Sequence, residues 1–70
     1  MEIKLEDEKN LLIISGMDVL VSEGYLNVTR DNILTDITYS ELFKSMLLRL
    51  KGKRGENTDT GIEELLKQIL

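Results

Sequence analysis

Residues 22–33 read SEGYLNVTRDNI, and the fold turns on what this run does. Gly24 stands where a left-handed residue ends a helix, with Tyr25 as the apolar residue after it. Thr29 then suits an N-cap, with Val28 and Ile33 as the two ends of a hydrophobic staple. Read this way, the run closes one helix near 7–23 and opens a short one near 30–36. Upstream, LLII (11–14) and MDVLV (17–21) cover nearly every side of a helical wheel, as a buried helix does. Several of these residues are β-branched and Gly16 lies among them, so EIKLEDEKNLLII and DVLVSEGYLNVT also fit hairpins. The stop-and-start reading of 22–33 favours the helix. The expected fold is therefore all-α: a small compact bundle of three to four short helices, three longer and one shorter. The alternative is α+β, with an N-terminal β-hairpin or meander followed by two helices.

Downstream the helical signals are plainer. In TYSELFKSMLLRLKG, Tyr39, Leu42, Phe43, Met46, Leu47 and Leu50 recur at helical spacing. Thr38 and Glu41 fit a capping box, and Ile37 with Leu42 a staple. Lys51 complements the helix dipole and Gly52 can end the helix, which is expected over 39–51. The tail TGIEELLKQIL is a second amphipathic helix, with Thr60 and Glu63 as a further capping box and Ile62, Leu65, Leu66 and Ile69 on one face. Between them a flexible polar loop is expected near 52–60.

Seventy residues with net charge −4 and no Cys or His make one small domain, 1–70. A core of this size is marginal. No disulfide and no ordinary zinc, haem or iron–sulfur site is available, and no cofactor is expected. Stability must come from tight helix packing, a partner or self-association, so a homodimer is one expectation. The longest apolar run is Leu11–Ile14, too short to cross a membrane. The first residues, MEIKLEDE, are acidic where a signal peptide is basic. These features suit a cytoplasmic protein.

Catalytic chemistry has little to stand on. There is no His for general base work, no Cys nucleophile and no phosphate-cradling Gly–Lys–Ser/Thr loop. Glu6, Asp7 and Glu8 fall in a first helical turn, where the dipole favours acids. Glu41, Glu63 and Glu64 are read as lying at helix starts too. ENTDTGIEE has the rhythm of an EF-hand loop, but its twelfth position is Lys67, which cannot ligate calcium. Ser40 lacks the Asp-Ser-Leu setting of an acyl carrier protein.

Binding a macromolecule is the reading that remains, with a protein partner first. This makes the chain a non-enzymatic inhibitor, adaptor or assembly subunit. Leu48 falls off the main stripe of its helix. A contact with the first helix inside one copy is the favoured reading for it, and a partner contact is the alternative. Met46 and the Ile69–Leu70 end are further apolar candidates. Lys44, Arg49, Lys51, Lys53 and Arg54 are five of the nine basic residues, within eleven positions. The favoured reading of this cluster is a solvated helix end and loop. With Leu48 they form the candidate partner-binding set, for an acidic protein surface or a phosphate backbone.

The second reading is a nucleic-acid binder. SEGYLNVTRDNI followed by ITYSELFKSM resembles the DNA-binding segment of TetR-type repressors, through Gly24, Tyr25, Thr38, Leu42 and Phe43. The resemblance implies a helix-turn-helix whose recognition helix begins near Thr38. The sequence departs from that pattern. The span from Gly24 to Thr38 is shorter, the usual Ala-Gly before the turn is missing, and Glu41 would face phosphate. The acidic balance also weighs against nucleic acid.

Overall fold

Helix α1 spans Leu5–Ser22 and stops as the sequence implies. Gly24 takes a φ of 94°. Its N–H donates to the Val21 carbonyl, and the Tyr25 N–H donates to the Leu20 carbonyl, each at 3.0 Å. These two bonds form a Schellman motif, which satisfies carbonyls the helix end leaves open. Thr29 then caps the short helix α2, Arg30–Thr35. Its hydroxyl accepts from the Asn32 N–H, while its own N–H donates to Asn32 Oδ1 at 2.9 Å. Ile33 is fully buried and Val28 packs against the same core. The fold-deciding run is thus helix stop, crossing and helix start, and the β alternative is overturned.

This computed structural model describes residues 4–69, with no strand among them. Helix α3 covers Ile37–Leu50 and α4 covers Glu56–Gln68. Two expected capping boxes do not form. Asp36, a stronger N-cap than Thr, takes the role expected of Thr38, accepting from the Thr38 N–H at 3.0 Å. Ile37 is consequently exposed rather than stapled. The expected polar loop near 52–60 shrinks to 51–55, because α4 begins before its apolar stripe does. Thr60 lies inside α4, its hydroxyl donating to the Glu56 carbonyl. Glu63 and Glu64 are therefore mid-helix, and pair with Lys51 and Lys67 instead of capping.

The short connection has a defined shape. Lys51 (φ −58°, ψ 130°) and Gly52 (φ 82°) are the central residues of a type II turn. The Lys53 N–H donates to the Leu50 carbonyl at 3.0 Å. The Gly52 N–H is taken by Asp59 Oδ1, at 2.8 Å from the first turn of α4. This bond and the Lys51–Glu63 ion pair, at 3.2 Å, fasten the end of α3 to α4.

Helix α1, about 27 Å long at 1.5 Å per residue, packs against all three other helices. The core is Leu12, Ile13, Leu20, Ile33, Phe43, Met46, Leu47, Ile62 and Leu65. Gly16 counted toward strands in the sequence. Here it lets α3 approach, since a Cβ at that position would stand 2.6 Å from Phe43 Cε1. Tyr25 and Tyr39 meet edge to face at 5.4 Å. The Tyr39 hydroxyl donates to the Leu26 carbonyl at 2.7 Å, fixing the crossing between α1 and α2 to α3.

Candidate functional site

The six candidate residues do not form one patch. Lys44 and Leu48 lie with Ile37 and Glu41 on the outward stripe of α3, at helical spacing i, i+4, i+7 and i+11. Leu48 is 51 % exposed and is not among the hydrophobic side chains packed against the core. Met46 lies about 160° away around the same helix at 100° per residue. It is buried in the core. Arg49 is exposed on the side of α3 between these two. Lys51 holds the ion pair with Glu63. Lys53 is exposed in the turn, and Arg54 borders a groove. Ile69 packs against the core, while Leu70 lies outside the described residues.

That groove has a volume of about 280 Å³. One wall is α1, with Glu8, Leu11, Leu12, Ser15 and Val19. The other is formed by Met46 and Leu50 of α3, and Arg54 and Thr58 close one end. From Glu8 to Val19 it follows α1 for about 16 Å, three helical turns. Its floor is apolar toward Val19 and polar toward Glu8, Thr58 and Arg54. Arg54 makes no ion pair among the described residues.

The polar end is built around a buried contact. The Thr58 hydroxyl donates to Glu8 Oε1 at 2.6 Å, and both residues are buried. Glu8 is thus more than a dipole-favoured acid of a first turn. Gly61 permits the contact, since a Cβ there would meet Leu12 Cδ1 at 3.2 Å and Glu8 Cγ at 3.3 Å. Thr58→Val is expected to cost about 1–3 kcal/mol, because the isosteric change leaves a buried carboxylate oxygen without its donor. Urea denaturation checks this, and the double variant with Glu8→Gln should recover part of the loss. An unchanged midpoint for Thr58→Val would show that water serves Glu8 equally well.

Glu8, Ser15, Val19 and Thr58 were not among the sequence candidates. The signal that could have found Thr58 was its spacing of three from Gly61: two small residues on one face of a helix that reads as loop. The helix-turn-helix outline fits the ends of α1 and α2, but not the connection from α2 to α3. Those two helices are joined by the single residue Asp36, where that motif uses a turn of about 3–4 residues. The outward stripe of α3 offers Ile37, Glu41, Lys44 and Leu48, with a single cation before Lys51.

No group of three or more acidic side chains converges to suit a metal ion among the described residues, and no described helix is long and apolar enough to cross a membrane. Comparison with protein-family models, with curated proteins and with solved structures gave no match.

Proposed function

We propose that this protein works by binding another protein, as a small regulatory or adaptor subunit, and not by catalysis. The observation that carries the reading is the groove between α1 and α3, a three-turn trough with an apolar floor and a guanidinium at its end. Such a trough accepts one or two large apolar side chains from a partner segment, the geometry of an interface anchor. The half-exposed Leu48 and the exposed Ile37 on the far side of α3 offer a smaller second apolar strip.

The test needs no known partner. Peptides selected from a random phage-displayed library against the folded chain are titrated into it and followed by NMR. The methyl signals of Leu12, Val19, Met46 and Leu50 are expected to move. Ser15 is exposed at the groove, so Ser15→Trp fills the trough without replacing a buried side chain, and should weaken the selected peptides at least tenfold. Selected peptides that leave these methyls unmoved, or that bind Ser15→Trp undiminished, would remove the groove as the binding site. Short duplex DNA is titrated alongside. Shifts at Lys51, Lys53 and Arg54 that fade as salt rises would favour the nucleic-acid reading instead.

A further inference from the structure

The face of α1 turned away from the core is not the polar surface expected of an outer helix. Leu11, Ile14 and Val21 are exposed by 55 %, 54 % and 60 %. Their spacing is three, then seven, and Asp18 fills the gap four residues after Ile14. Leu11, Ile14, Asp18 and Val21 therefore occupy successive a, d, a and d positions of a heptad seam. The seam is about 15 Å long at 1.5 Å per residue, and Leu11 is also the lip of the groove. One position in four is charged, and the exposed Asp7 extends the same stripe by one turn. Lys9, the sole cation within α1, is turned aside and held by Glu6 at 2.8 Å. From Asp7 to Val21 the seam is thus apolar and acidic with no cation on it, and the exposed Lys4 stands one position beyond, at the N-cap of α1.

Charge decides which helix can cover it. A second copy is a poor occupant in either direction. In a parallel pair Asp18 meets its own copy across the a layer, and like charges repel. In an antiparallel pair Asp18 is set against an apolar side chain of the other copy, and a desolvated carboxylate without a partner is costly. A helix bearing Lys or Arg in that layer meets neither penalty. A polar residue at one such position is a known way of fixing partner and register at some cost in stability.

We propose that the outer face of α1 docks an amphipathic helix of a different protein, one with a basic residue in the layer facing Asp18, and that Asp18 prevents the same face from pairing with a second copy. The proposal rests on the protein-binding reading but on a different face from the groove floor, so each can fail alone.

Two designed helical peptides of about four heptads test it. They share apolar a and d positions and differ in one residue, Lys or Glu, in the layer opposite Asp18. By isothermal titration the Lys peptide should bind at least tenfold more tightly than the Glu peptide, and Asp18→Lys should invert the order. Light scattering should find the native chain monomeric and Asp18→Leu dimeric at the same concentration. Asp18 is exposed, so both variants should keep the native circular dichroism. Equal affinity for the two peptides, or no binding of either, overturns the docking proposal and leaves the groove result standing. A native dimer that Ile14→Glu dissolves overturns it as well, by showing the seam to be a contact between copies.

Discussion

Phe43→Ala is expected to lower stability by about 3–5 kcal/mol, the usual loss for a fully buried aromatic. The ring is 1 % exposed and is the largest of the fully buried side chains. It fills the space between α3 and the middle of α1, where Gly16 offers no side chain to take its place. A chain of this length holds roughly 4–10 kcal/mol in all, at about 0.05–0.15 kcal/mol per residue. Truncating the ring therefore removes roughly 30 % of the total or more. Urea unfolding followed by circular dichroism should show a midpoint lowered by molar amounts, or no folded baseline. A loss under about 1 kcal/mol would mean that the helices close over the void, since such costs depend on how far a site can collapse.

Gly16→Val is the second large effect and comes from the same contact seen from the other helix. At an open helical site, replacing Gly by a residue with a side chain gains up to about 1 kcal/mol in propensity. At Gly16 the added Cβ would stand 2.6 Å from Phe43 Cε1 and 3.0 Å from Ile33 Cδ1. Neither the ring nor Ile33 has room to withdraw, because both are buried. Overpacking should win and cost about 3 kcal/mol. The sign is what matters, and a double variant makes it specific. Gly16→Ala should destabilise alone but cost much less on a Phe43→Leu background, the coupling expected of two residues in contact. If Gly16→Ala instead stabilises the native chain, α1 and α3 are not in close approach there.

The fold was legible in the sequence where local chemistry acts alone. Gly24, Tyr25 and Thr29 close and open helices through bonds that span at most five residues, so the run 22–33 carried its own answer. The start of α4 was hidden for the opposite reason. Residues 56–60 are polar and have no apolar period, and what makes them helical lies elsewhere in the chain: Glu8 for Thr58 and the Gly52 N–H for Asp59. The same distance effect governed the candidate site. Charge clustering along the chain grouped Lys51 with Arg54, yet one is tied to Glu63 and the other borders the groove. Leu48 falls off the apolar stripe in the sequence, but that it stays half exposed depends on where α1 and α4 lie against α3. Leu11, Ile14 and Val21 were hidden inside a helix that looked apolar all round. Only the placement of α2, α3 and α4 shows which side stays uncovered.

Asp36 serves two helices at once. Its N–H closes α2 on the Asn32 carbonyl at 2.9 Å, its carboxylate opens α3, and its carbonyl accepts the Ser40 N–H at 2.8 Å. With a single residue between them, α2 and α3 have one pair of soft torsions to share, and both ends of that pair are already bonded. Mechanically they form a bracket rather than two rods on a hinge. The Tyr39–Leu26 bond ties the crossing that follows α1 to the same bracket. Load applied to the outward strip of α3 is then shared with α2 through the one residue between them.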